Sequence, residues 1–239
     1  MKKATEQSPS TASAGQDFQS GHRSRLRDRF LERGSDSLAD YELLEMALFA
    51  AKPRGDVKPL ARMLIKEFGS FAGVIRATPQ ALRAMDGVGD AVIASLKVIE
   101  ASCVRILSND LHTDRPIINS WSALLDYCQL TMSHQPREEF RVFFLTSKNT
   151  LIKDEVQHTG TIDHTPVYPR EIVKRALELG AVSLILAHNH PSGDPSPSKT
   201  DIDLTKMLAD AACPFNIRIH DHVIIGKNKH YSFKQCGLL

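Results

Sequence analysis

The sequence has no apolar run approaching the ~18 residues that a membrane span needs, and Met1, Lys2 and Lys3 lead into Ser, Thr and Gln rather than into an apolar export core. No membrane association is expected, and no export. Cysteine is scarce: Cys103, Cys128, Cys213 and Cys236 stand far apart with no Cys-x-x-Cys pair. That excludes a zinc ribbon, a thioredoxin-like redox pair and a small disulfide scaffold, and it fits a reducing cytoplasm. Charge of one sign is also lacking. Lys plus Arg total 30 against 28 Asp plus Glu, so +2 over 239 residues is too little for binding nucleic acid by bulk charge, and any basic patch must be local. With 42% hydrophobic positions, 13 Gly and 12 Pro, collagen and wholesale disorder are out and one or two buried cores are in. Histidine is the exception to this ordinary composition: seven of the 10 (positions 158, 164, 188, 190, 220, 222 and 230) fall from residue 158 onward.

Residues 1–21 contain almost no large apolar groups and are read as a disordered tail, because they cannot bury enough surface to offset the entropy of ordering. From His22 the chain turns basic, with Arg23, Arg25, Arg27, Arg29 and Arg33 against Asp28 and Glu32. Helical spacing then predicts helices over 36–49, capped near Asp40, over 57–68, ended by Gly69, over 70–77, from Thr78-Pro79, and over 90–107. Residues 22–112 therefore form an all-helical module. After Asp114-Arg115-Pro116 the texture alternates. A helix over 120–131 precedes strands over 140–146 and 150–157 across a hairpin-like Ser147-Lys148-Asn149. A helix over 169–180 leads to Ala181–Ala187, an apolar run of the kind that sits in mid-sheet. A helix over 199–212 and short strands over 217–220, 222–226 and 231–233 complete a mixed α/β domain at 117–239.

The stretch from His188 to Asp201 carries the chemistry. Two residues apart on extended chain, His188 and His190 point to one side at the exit of the buried strand. Pro191, Gly193, Pro195 and Pro197 make a stiff return to Ser198 and Asp201, where a carboxylate could complete a His/His/Asp set with one tetrahedral position of Zn²⁺ left open. Ser198-x-x-Asp201 is also a helix capping box. A metallo-β-lactamase, a nucleoside deaminase and an amidohydrolase barrel each require spacings absent here, and the His-Asn-His spelling does not match the scattered residues of nucleases named for those letters.

His-x-His-Pro followed at fixed spacing by Ser-x-x-Asp resembles, over 14 positions, the JAMM motif of the JAB/MPN metalloprotease family. Within it the chain is similar to the RadC branch (UPF0758), through Gly160-Thr161-Ile162-Asp163, Pro169-Arg170-Glu171-Ile172-Val173, Ala187 to Gly193, and Asp221-His222-Val223-Ile224-Ile225-Gly226. It departs at Tyr168, where the branch often has His. The resemblance implies a JAB/MPN (cytidine-deaminase-like) α/β domain with a mixed sheet, making the whole chain α+β. It implies one Zn²⁺ held by His188, His190 and Asp201, and Ser198 donating to the oxyanion of the tetrahedral intermediate. A glutamate at the start of the first strand acts as general base, and the branch pattern Glu-x-Phe favours Glu138 over Glu139. The implied activity is hydrolysis of a peptide or isopeptide bond in a protein or peptide substrate.

His220 and His222 form a second His-x-His without a carboxylate at a known spacing and are read as structural. In the helical module, Gly87-Val88-Gly89 before a helix resembles the turn of a helix-hairpin-helix, whose exposed amides hold a DNA phosphate. Asp86 and Asp90 flank it and would repel phosphate. The alternative function is accordingly a DNA-associated protein, as the repair label of the RadC family suggests, with the metal domain in a supporting role.

Overall fold

The computed structural model describes residues 11–112, 115–117, 121–160 and 167–239. The chain divides into two compact units, 1–101 and 102–239.

The first unit is helical: α1 (Thr11–Arg33), α2 (Asp40–Ala51), α3 (Lys58–Phe68), α4 (Phe71–Arg76), α5 (Pro79–Arg83) and the first half of α6 (Asp90–Leu111). Local chemistry sets the breaks. Gly69 ends α3 in the left-handed region at φ 83°, Ser70 Oγ caps α4 by accepting from Gly73 N, and Thr78 Oγ1 caps α5 by accepting from Ala81 N. The inward stripes meet in one core that includes Leu44, Leu48, Leu64, Val74, Leu82 and Leu96. Helix α1 is attached largely by polar contacts. His22 Nε2 lies 2.9 Å from Glu45 Oε2, and the Arg23 guanidinium donates to the carbonyls of Lys52, Pro53 and Gly55. Arg29 pairs with Glu42 at 2.6 Å. Two arginines of the basic arm are thus committed to their own chain.

Three expectations change here. The tail of 1–21 lies outside the described residues only to residue 10. From Thr11 the backbone continues α1, because no proline interrupts it after Pro9, and low apolar content argues against burial rather than against helix. Helix α2 starts at Asp40 instead of 36, after a 3₁₀ turn at Ser35–Ser37, with Ala39 as cap; the Asp40 carboxylate instead accepts from Phe71 N at the start of α4. The units divide within α6 rather than at 112–117, because Val104, Leu107 and Leu111 pack into the second core.

The second unit runs α7 (Trp121–Met132), β1 (Glu138–Leu145), β2 (Leu151–Gly160), α8 (Pro169–Leu179), β3 (Ser183–Asn189), α9 (Lys199–Ala212), β4 (Arg218–Gly226) and β5 (Lys229–Ser232). The sheet order is β2-β1-β3-β4-β5, with β3 and β4 parallel and the other pairs antiparallel. Every residue of β3 is buried, as its apolar run requires. One face of the sheet, with Phe143, Ile185 and Val223, packs on α7; the other, with Phe140, Val142, Leu184 and Leu186, packs on α8 and α9. The two strands expected over 217–220 and 222–226 are one. Asp221, which read as a break, is 2% exposed because three donors satisfy it: Ser232 Oγ at 2.6 Å, His222 N at 2.7 Å and Lys234 N at 3.0 Å. Among the described residues no helix is long and apolar enough to cross a membrane.

Leu64 has no exposed surface in the helical core. Leu64→Ala is expected to cost about 2–5 kcal/mol, measured as a lowered denaturation midpoint of the helical signal; a shift within error would mean that this core does not carry the unit.

Candidate metal centre

Strand β3 ends in a helix-free turn, and its last residues project alternately. His188 shares the α9 face with Leu184 and Leu186 and is followed there by His190, whereas Asn189 points to the other face. Ser198 then starts α9, with Asp201 in its first turn. The three groups offer one donor atom each within 4.8 Å of one another. His188 Nε2 lies 3.0 Å from His190 Nε2 and 3.2 Å from Asp201 Oδ1, and His190 Nε2 lies 3.5 Å from Asp201 Oδ2. Ligands about 2.05 Å from a tetrahedral zinc stand about 3.3 Å apart, so this triangle fits one face of such a site without rearrangement. His188, His190 and Asp201 could hold a metal ion.

The same pleat separates Glu138 from Glu139. Glu139 is turned to Arg141, whose Nε and Nη2 donate to its Oε1 at 3.1 and 2.9 Å, while Arg141 Nη1 reaches Asp154 and Tyr127. Glu138 is in phase with Phe140, the ring stacked on His188 with centroids 6.2 Å apart. It lines, with Phe140, His188, His190, Ser198 and Asp201, a cleft of about 650 Å³, to whose wall Glu139 also contributes. Asn189, fully buried, fixes where β1 begins: its Oδ1 accepts from Glu139 N at 2.8 Å and its Nδ2 donates to Arg137 O at 3.1 Å. A side chain from between the two histidines therefore sets the backbone that carries Glu138.

The return loop is braced from β4. A Cβ on Gly226 would lie 2.4 Å from Gly193 O and 2.8 Å from Pro195 Cδ, so glycine permits this close approach. The loop in turn holds His190, whose Nδ1 faces Asp194 O at 2.8 Å. The capping box is formed as well: Ser198 Oγ accepts from Asp201 N at 3.2 Å and lies 2.6 Å from Asp201 Oδ2, which also accepts from Ser198 N at 2.7 Å.

Burial acts to raise the Asp201 carboxyl, but the surrounding His188, His190 and Ser198 outweigh it and hold Asp201 far below the usual carboxylate range. The bond to Asp201 raises His190 against the opposing effect of burial, and Glu138 is among the charges that act on it. His222 is driven well below the ordinary imidazole value by complete burial, and further by His188.

Sequence reading passed over Asn189, Arg141, Thr205 and the contact of His222 with His188, 2.8 Å from Nε2 to Nδ1. Only Asn189 left a trace, as a polar residue inside an apolar strand. His164 and the Thr161–Asp163 part of one motif lie outside the described residues. Tyr168 is the 56% exposed N-cap residue of α8, with Arg170 over its ring. Gly87 and Gly89 occupy the turn before α6, Gly87 at φ 78°, and Asp90 at the helix start pairs with Arg83 at 2.8 Å. Burial pushes the Cys128 thiol up to about 12, and the four cysteines are free.

The fold and this cluster mark the second unit as a JAB domain, and residues 118–238 match the model of the RadC-like JAB domain. Residues 19–94 match the UPF0758 N-terminal model. A UPF0758 protein of Rhodobacter capsulatus is 54% identical over 214 residues, covering 90% of this chain and all (100%) of that protein. One from Ruegeria pomeroyi is 54% identical over 218 residues, covering 91% and 97%. The chain belongs to the RadC-like UPF0758 family.

Asn189→Ala leaves Glu139 N and Arg137 O without their partner, at about 1–3 kcal/mol. Hydrogen exchange of the Glu139 amide is expected to speed up while that of the mid-sheet Val142 amide slows or speeds only with global stability; unchanged protection at Glu139 contradicts the latch. Because Asp201 raises His190 and a cation competes with a proton for the same nitrogen, zinc binding is expected to release protons and to weaken as pH falls. Calorimetry in buffers of different ionisation enthalpy reads this directly, and a heat independent of buffer opposes it.

Proposed function

We propose that this protein is a zinc-dependent hydrolase of peptide or isopeptide bonds. The observation that carries the reading is the convergence of His188, His190 and Asp201 on a cleft that Glu138 enters from the same face. Zinc, when bound, supplies a Lewis acid for the scissile carbonyl and for water. The remaining work belongs to the chain. Glu138 takes the proton of the attacking water and returns it to the leaving amine, a task suited to a partly exposed carboxylate that no arginine among the described residues holds. Glu139 also borders the cleft but is the poorer base, since Arg141 holds its carboxylate in an ion pair.

Ser198 stands at the cleft rim and is the donor for the oxyanion, which requires its hydroxyl to leave Asp201 Oδ2 when substrate arrives. Phe140, Val167, Pro191 and Leu204 give the cleft apolar walls for the side chains flanking the bond. The substrate is a protein or peptide, and the four free cysteines suit a cytoplasmic setting.

The test is cleavage of a mixed peptide and isopeptide library by zinc-loaded protein. Glu138→Gln is expected to lower the rate by roughly 10²–10⁴-fold with zinc still bound, and chelation to abolish it. Cleavage that survives both chelator and Glu138→Gln contradicts the reading.

A further inference from the structure

The histidine at 222 lies outside any ligand set, yet it is wholly buried, between the rings of Phe233, 4.7 Å away and stacked, and Phe140, 5.7 Å away and edge-on. Its two nitrogens both have partners. Nδ1 is 2.6 Å from Thr205 Oγ1 and Nε2 is 2.8 Å from His188 Nδ1. Thr205, 1% exposed, also stands 2.6 Å from the backbone oxygen of Asp201, one turn earlier in α9.

His222 has no exposed surface and no carboxylate against its ring among the described residues, which favours the uncharged ring, and for an uncharged His222 hydrogen-bond arithmetic leaves one assignment. A carbonyl only accepts, so at 2.6 Å the single proton of the Thr205 hydroxyl lies toward Asp201 O. The hydroxyl oxygen must then accept from His222, which places the His222 proton on Nδ1. An uncharged imidazole with a proton on Nδ1 accepts at Nε2. His188 must therefore carry a proton on Nδ1 and donate it to His222, so that Nε2 is the atom left for the cleft. For His190 the same result follows in one step, because Asp194 O can only accept from Nδ1.

We infer that Thr205 and His222 are positioning residues which dictate that His188 presents the Nε2 lone pair to the metal site. The bonds form a chain from Asp201 O through Thr205 and His222 to His188, whose Nε2 then stands 3.2 Å from Asp201 Oδ1 with room for a cation rather than a hydrogen bond between them. Two of the three metal-site residues are thereby held through buried neighbours on α9 and β4. Without this chain, His188 could place its proton on Nε2, where it would block a cation. This inference rests on the metal-site reading of His188 for its purpose, though not for its geometry.

The test uses the full chain with ¹⁵N-labelled histidine, first metal-free at pH 8 and then in zinc competition against a chromophoric chelator. The wild-type His188 spectrum is expected to be that of the Nδ1-H form. Thr205→Val, which keeps the shape and removes the hydroxyl, is expected to shift His188 toward the Nε2-H form and to weaken zinc binding by about 10–100-fold. Thr205→Ser restores both. His190 keeps its form in every variant and so serves as the internal control for folding. An Nε2-H form of His188 in the wild type overturns the inference, as does a Thr205→Val protein with unchanged tautomer and unchanged affinity. If the wild type binds no zinc, the proposed function fails while the tautomer still decides this inference.

Discussion

The metal cluster depends on one constraint, the two-residue repeat of a strand buried on both faces. Because β3 has no exposed face, its residues must all be apolar or fully partnered. At its end three polar residues follow in succession, His188 and Asn189 in the strand and His190 just beyond it, and the alternation of extended chain sends them to opposite sides. The histidines go toward α9 and meet Asp201. The asparagine goes the other way and holds the start of β1. One alternation thus sets both the ligand pair and the backbone of Glu138.

Helix α9 contributes its N-terminus. Ser198 and Asp201 form a capping box, and the same Asp201 carboxylate faces both histidines. The capping and ligand readings of Ser-x-x-Asp are compatible: the cap orients the carboxylate before any cation arrives. One helical turn on, Thr205 ties the same helix to β4 through His222. The parallel pairing of β3 and β4 makes this reachable, since Leu186 pairs with His222 and His188 therefore lies diagonally beside it.

Much of this was legible in the sequence. The buried strand, the helix from Lys199 to Ala212 and the His/His/Asp set follow from periodicity and spacing, and α9 has the predicted bounds. The mixed sheet and the family were read from motifs. What was not legible depends on contacts between distant residues. Glu138 and Glu139 are alike in type and both border the cleft, and the difference between them is the Arg141 ion pair, a contact that no motif encodes. Asp221 read as a strand break because its three donors come from Ser232, His222 and Lys234. His222 read as structural because its link to the site passes through Thr205, for which no motif exists. At the other end of the chain, polar composition concealed a helix that begins at Thr11.

In the helical unit, polar clamps at His22, Arg23 and Arg29 hold α1 against α2 and the α2–α3 turn. The central claim, however, concerns the three side chains at the end of β3 and the start of α9. Elemental analysis of protein purified without chelator, wild type beside His188→Ala and Asp201→Ala, tests it most directly. One zinc per chain in the wild type and loss from both variants is the predicted result; a wild type without bound metal, or variants that keep theirs, would contradict the account.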